Sequence, residues 1–188
     1  MTEFLVTEIA EVVEIVPAKH GDHRGFFSEV YKRAEFETAG IAIDWLQDNQ
    51  SFSAPAGTVR GMHFQVPPVA QAKLVRVLRG AIWDVALDIR RGSPSYGQWA
   101  ARELSAEKWN QLLVPAGFAH CFMTLVPDTE VLYKVDAPWS QEHERAIRWD
   151  DPALGIPWPD LGVAPTLSDK DRDAPLLAQF DTPFVYEG

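Results

Sequence analysis

The chain has 188 residues, about one domain's length, and 46% of them are hydrophobic, with 21 aromatic rings that can fill a core without help from disulfides or metal. Its 27 acidic residues outnumber 17 basic ones for a net charge of −10, which repels a phosphate backbone and excludes DNA and RNA as natural partners. Cys121 is the only cysteine, so an intramolecular disulfide and a thiol-ligated zinc site are excluded as well.

Glu3, Glu8, Glu11 and Glu14 stand where a secretory leader needs positive charge followed by an apolar run, so a cytoplasmic location is expected. Between them, Phe4, Leu5, Val6, Ile9, Val12 and Val13 form an apolar stretch suited to a strand that could pair with a partner's sheet. Phe27–Tyr31 alternates and reads as a strand, followed by a short helix over Lys32–Thr38 that ends at Gly40. Lys73–Leu78 and Glu130–Val135 also alternate. Ala81–Ile89 is more continuously apolar, as in a central strand covered on both faces, with Gly80 before it and Gly92-Ser-Pro94 after it. Ser105 is placed to cap a second short helix over Ala106–Asn110. The longest stretch without a charged side chain, Asn110–Pro127, contains Pro115, Gly117 and His120 and makes a poor membrane span. From Asp150 the chain is rich in Pro, Asp and Gly and is expected to wrap the rest of a single domain spanning residues 1–188. Many short strands with no βα alternation indicate an all-β fold, a two-sheet antiparallel sandwich or jelly roll, with short peripheral helices.

Arg60, Lys73, Arg76, Arg79, Arg90, Arg91 and Arg102 face only Asp84 and Asp88 over the same stretch, a local excess of five positive charges that suits a small anionic ligand. Alternate members of such a series commonly face solvent on strand exteriors. Arg60 and Lys73 are the better candidates because they flank a histidine. That histidine lies in Gly61-Met-His-Phe-Gln65, and a second in Pro115-Ala-Gly-Phe-Ala-His120. The pair resembles the two motifs of the cupin barrels. Gln65, however, stands where metal cupins carry a second histidine ligand, and Lys73 would set a cation beside the ion, so no metal is expected.

The wider string is more specific. Asp22-His-Arg-Gly-Phe-Phe-Ser-Glu29, Gln47-Asp-Asn-Gln-Ser51, Arg60-Gly-Met-His-Phe-Gln65, Ala70-Gln-Ala-Lys-Leu-Val-Arg76, Asp84–Arg90, Gly92–Trp99, Val114–His120, Leu132-Tyr-Lys134 and Leu167-Ser-Asp-Lys-Asp171, in register along nearly the whole chain, closely resemble the dTDP-4-dehydrorhamnose 3,5-epimerase family. The resemblance implies a metal-free cupin jelly roll, usually a homodimer, without cofactor, acting on a 4-keto-6-deoxyhexose linked to thymidine diphosphate in L-rhamnose synthesis. It further implies His63 as base, Asp171 as the carboxylate that orients it, Tyr133 as proton donor and Lys73 as stabiliser of the enolate. Arg24 and Arg60 are implied for the diphosphate, His120 for the substrate, and Glu29, Gln47, Asn49, Glu144 and Lys170 for nucleotide or sugar. Trp139 stands where an aromatic is common and bears on the fit of the base. A relative that inverts a single carbon, and a non-catalytic cupin that only binds sugar nucleotides, share many of these motifs and remain alternatives at this level.

Overall fold

The computed structural model describes residues 1–187. Its strands are β1 (Glu3–Val6), β2 (Val13–Val16), β3 (His20–Asp22), β4 (Gly25–Phe27), β5 (Gln47–Ser53), β6 (Val59–Gln65), β7 (Lys73–Arg79), β8 (Ala81–Asp88), β9 (Trp99–Ser105), β10 (Gln111–Val114), β11 (Phe118–Thr124), β12 (Thr129–Val135) and β13 (Glu144–Ala146), with helices α1 (Arg33–Thr38) and α2 (Asp169–Arg172). A six-stranded sheet in the order β1-β2-β10-β7-β12-β5 faces a five-stranded sheet in the order β13-β6-β11-β8-β9, and β3 and β4 form a separate hairpin. All ladders within these sheets are antiparallel. This is a cupin-like jelly roll.

Strand periodicity divides the apolar residues among three layers. Val75, Val77, Ile82, Ala86, Leu112, Phe122 and Val131 fill the space between the sheets. Met62, Phe64, Val85, Leu87 and Cys121 point out of the five-stranded sheet and are covered by the C-terminal segment through Trp149, Trp158, Leu167 and Phe180. Ile15, Leu74 and Leu113 on the far side of the six-stranded sheet are covered by Phe36 of α1 with Tyr31 and Trp45. The inner strands of both sheets are therefore buried on both faces, which explains the apolar continuity of β8 and of β11, where all seven residues are buried.

Two expected elements differ. The strand expected over Phe27–Tyr31 stops at Phe27. Past that point the polar groups find side-chain partners instead of a ladder: Gln111 donates to the Val30 carbonyl and Trp109 donates to Ser28 Oγ. The helix expected over Ala106–Asn110 is a turn, because Ser105 Oγ accepts from the Lys108 N–H but Trp109 adopts a left-handed φ of 62° that a helix does not admit. The central strand expected over Ala81–Ile89 is β8, interior to its sheet between β11 and β9.

Candidate active site

A cavity of about 570 Å³ opens between the sheets, lined by Arg60 and His63 of β6, Lys73 of β7, His120 of β11, Tyr133 of β12, and Lys170 and Asp171 of the C-terminal segment. Its walls follow from strand parity. Lys73 shares the inward side of β7 with Val75 and Val77, and Tyr133 shares that of β12 with Val131, so both enter the barrel while Leu74 faces outward. His63 and His120 are direct cross-strand partners and so project on the same side.

Arg60 and His63 pose a geometric problem, since residues three apart on a regular strand face opposite ways. The β6–β11 register resolves it with a shift between His120 and Phe122, which leaves one extra residue on β6. Gly61 sits in that bulge with φ of +129°, and a Cβ there would lie 2.4 Å from the His120 carbonyl oxygen. Glycine is thus the residue that lets the two strands meet while both Arg60 and His63 turn inward. Arg60 is held by donating to Ser53 Oγ at 3.2 Å and to the Phe52 carbonyl at 3.1 Å.

His63 Nε2 is bonded to Asp171 Oδ1. Asp171 is buried and rides on α2, whose N-cap Ser168 accepts from the Asp171 N–H at 3.2 Å. Burial pushes the Asp171 carboxyl up, but the bond from His63, the Ser168 hydroxyl and the nearby Lys170 outweigh it and hold the group below the usual carboxylate range. It is ionised at neutral pH. Lys73 is buried, and desolvation lowers its ammonium to about 8 against the pull of Asp84 and Glu144. Its Nζ donates to the His63 carbonyl at 3.0 Å. Burial raises the Tyr133 phenol, although Arg60 opposes this, so the hydroxyl keeps its proton at neutral pH. Burial, with help from Lys73 and His63, lowers His120 against the pull of Asp84.

A smaller recess of about 90 Å³ shares His63, Lys73 and Tyr133 with the main cavity and adds Asn49, Gln65, Gln71, Trp139 and Glu144. Gln47 lies beside it, donating to Asn49 Oδ1 at 2.6 Å. Lys170 and Glu144 are joined at 2.8 Å. Trp139 is 57% exposed at the rim of this recess. The structure thus brings together eleven of the thirteen residues singled out in the sequence.

Arg24 and Glu29 are the two it does not bring to the cavity of their own chain. Arg24 is exposed at the tip of the β3–β4 hairpin, where the Asp22 carboxylate binds it at 2.5 Å, and Glu29 is exposed and paired with Lys32 at 3.2 Å. The basic excess also resolves largely into structure. Arg79 binds Glu130, Arg90 binds Asp88 and Glu11, Arg102 binds Glu8 and Glu14, Arg91 approaches Asp181, and Arg76 stacks on Trp109 at 4.9 Å. Of the seven, Arg60 and Lys73 line the cavity. Asp84, which is not among the candidate residues, is fully buried and hydrogen-bonded through Oδ1 to His120 Nε2 at 2.6 Å. A carboxylate inside an apolar strand needs a buried partner, and that was the available signal.

Among the described residues no group of three or more His, Cys, Asp or Glu is arranged to hold a metal ion. Gln65 is engaged in structure, donating to the Val69 and Pro138 carbonyls and accepting from the Ser140 N–H.

A barrel that faces a histidine–carboxylate pair with a phenol, and sets a buried ammonium between them, defines a proton-transfer isomerase acting beside a carbonyl. Residues 6–179 match the model of the dTDP-4-dehydrorhamnose 3,5-epimerase family. The dTDP-4-dehydrorhamnose 3,5-epimerase of Sinorhizobium fredii is 53% identical over 97% of this chain and 93% of its own. A Legionella pneumophila dTDP-6-deoxy-D-glucose-3,5-epimerase, solved in complex with dTDP-4-keto-L-rhamnose, superposes with a TM-score of 0.95 at 41% identity over the whole of both chains. The Bacillus anthracis dTDP-4-dehydrorhamnose 3,5-epimerase, solved with TDP and PPi bound, gives 0.90 at 48% identity over 94% of this chain and 99% of that one. The chain belongs to the dTDP-4-dehydrorhamnose 3,5-epimerase family, and it is an isomerase.

Proposed function

We propose that the protein inverts the two carbons flanking the ketone of dTDP-4-dehydro-6-deoxy-D-glucose, giving dTDP-4-dehydro-L-rhamnose for dTDP-L-rhamnose synthesis in the cytoplasm. The observation that carries this reading is that His63 and Tyr133 enter one cavity from opposite sheets. A sugar ring lying between them has one face toward a base and the other toward a donor, which is the arrangement inversion requires. His63 takes a proton from the carbon beside the ketone, and the electron pair of that C–H bond delocalises onto the ketone oxygen as an enolate. Lys73 stabilises that oxygen, with His120 assisting. Asp171 orients His63 and stabilises the imidazolium, as the carboxylate of a serine-protease triad does. Tyr133 returns a proton to the opposite face of the carbon, and the enolate collapses to the ketone. No electron leaves the substrate, so the steps balance without a redox cofactor, and no metal is needed while Lys73 serves the oxygen. Activity is expected to be unchanged by EDTA. Activity lost with chelation and restored by one metal ion would contradict that expectation.

Arg60 is assigned to the diphosphate, Lys170, Glu144, Asn49 and Gln47 to sugar and nucleotide, and Trp139 to the fit of the base at the recess. Arg60→Ala is expected to raise KM about 10- to 100-fold with little change in kcat, because a diphosphate clamp acts alike in ground and transition states. Unchanged substrate affinity in that variant would remove Arg60 from the site. We further propose a homodimer. The β3–β4 hairpin carries Arg24 with Phe26 54% and Phe27 67% exposed, and the edge strand β1 exposes Leu5 and Val6. A second copy would cover these rings. Light scattering giving twice the chain mass supports this, and a mass near 21.1 kDa at micromolar concentration overturns it.

Incubation with the 4-keto sugar nucleotide in deuterated water, followed by NMR at each carbon, tests the reaction. Deuterium and inversion are expected at both positions. Inversion at one carbon alone would make the protein a single-carbon epimerase of a modified sugar, and no exchange at either would leave a sugar-nucleotide-binding cupin.

A further inference from the structure

Asp84 has no place in the chemistry just described, yet it is the least accommodated charge in the barrel. It lies on the inward side of β8 and is fully buried, and His120 Nε2 occupies its Oδ1 at 2.6 Å. Its Oδ2 is buried with no hydrogen-bond partner among the described residues. A buried carboxylate with a bare oxygen is costly unless a nearby positive charge offsets the loss of water, and such an atom calls for a functional reason. The positive charge in reach is Lys73. The charged and titratable groups facing Lys73 are Asp84 on β8, Glu144 on β13, Lys170 and Asp171 on α2, Cys121 on β11, Tyr133 on β12 and Arg60 on β6, with His63 and His120 adjoining it on β6 and β11. Lys170 and Glu144 are paired with each other at 2.8 Å and largely cancel. Burial drives the Cys121 thiol far up, so it carries no charge at working pH. Asp171 is taken up by His63, Arg60 is engaged by Ser53 and the Phe52 carbonyl, and the Tyr133 phenol keeps its proton. What remains for Lys73 is the carboxylate of Asp84, with the neutral His120 imidazole tied to it.

We propose that Asp84 is a positioning residue, fixing His120 with its proton on Nε2 and supplying the buried counter-charge that keeps Lys73 an ammonium at the reacting carbonyl. Because the ionised carboxylate can only accept, the Nε2 of His120 must donate, which sets the tautomer. Lys73 titrates at about 8 and acts as the cation, so activity falls as pH rises through that value. Removing the negative charge of Asp84 makes the ammonium still harder to keep, and the alkaline limb moves to lower pH.

Asp84→Asn separates charge from shape, since the amide oxygen can still accept from His120. The proposal rests on the epimerase reading, and two readouts keep the two apart. In the first, ¹³Cε of lysine is followed by NMR in the substrate-free protein. The Lys73 signal is expected to titrate near 8 in the native protein and at lower pH in Asp84→Asn. In the second, kcat at pH 8 is expected to fall about fivefold in the variant, the consequence of a one-unit shift in a group that is half protonated there in the native protein, with KM within about twofold. A native protein that does not epimerise the sugar nucleotide defeats the functional reading and leaves the lysine titration to decide the role of Asp84. A native enzyme that is active, with the same lysine titration and alkaline limb in the variant, defeats the proposal. If Asp84→Asn does not fold, the ¹⁵N spectrum of the native protein decides: His120 protonated on Nε2 supports the assignment, and protonation on Nδ1 overturns it.

Discussion

The Tyr133→Phe protein, given the 4-keto sugar nucleotide in deuterated water, is expected to wash deuterium into the substrate while leaving its configuration unchanged. His63 and Asp171 are untouched by the substitution, so deprotonation from the β6 side continues. The enolate then has only the imidazole to return a proton, on the face from which it was taken. Inversion is expected to fall by about 10²- to 10⁴-fold, the usual contribution of a positioned acid, while exchange persists. His63→Ala is expected to abolish exchange and inversion together. Phe keeps the packing of the half-buried ring against Val75 and Val131, so the fold survives the change. A folded Tyr133→Phe protein that inverts both carbons at the parental rate would reduce Tyr133 to a packing residue, and the donor would have to be water or His120.

That contrast depends on two sheets facing each other, and this much of the fold is legible in the sequence. Short alternating runs, turn residues between them and the lack of βα alternation lead to a two-sheet antiparallel sandwich or jelly roll, and the family resemblance selects the jelly roll. The alternation of Leu132, Tyr133 and Lys134 already implies that Tyr133 points away from its neighbours. What alternation cannot reveal is a change of phase. Arg60 and His63 have the wrong spacing for one face of a regular strand, and a bulge at Gly61 reconciles them. The motif read as a resemblance carries that bulge without displaying it.

The same limit explains the misreadings. In Phe27–Tyr31 the periodicity is real, but it records Phe27 exposed on the hairpin and Tyr31 packed under α1, two different surroundings. A local excess of basic residues says nothing about distant acids, and Glu8, Glu11, Glu14 and Glu130 absorb most of that excess across the sheets. Asp84 is the instructive omission. Its position in an apolar run announces a partner, but only the folded sheet identifies it as His120, which lies diagonally across from Asp84, two residues along β11 from its register partner Phe122.

Lys73→Met is expected to make an inactive enzyme that is more stable than its parent. The ammonium is buried and brought from its ordinary 10.5 to about 8, chiefly by desolvation, and each unit corresponds to about 1.4 kcal/mol, so keeping the charge costs the folded state about 3 kcal/mol at pH 7. A methionine of similar length carries no such penalty, and beyond the attraction to Asp84 and Glu144, which that net lowering already includes, it forfeits the bond to the His63 carbonyl, worth about 1 kcal/mol. The balance of about 2 kcal/mol should appear as a rise in Tm of roughly 4 to 8 °C at pH 7 for a chain of this size. Its pH dependence identifies the cause. The lysine binds its proton more weakly in the folded than in the unfolded chain, so the penalty is fully present below about 8, shrinks between 8 and 10.5, and is gone above. The advantage of the variant should narrow over that window. Turnover should fall by about 10²- to 10³-fold, as when an oxyanion donor is removed. A variant that is less stable at pH 7, or whose margin does not shrink toward pH 10, would mean that Lys73 is held as a stabilising part of the barrel and not as a cation kept there, at a cost to folding, for the enolate oxygen.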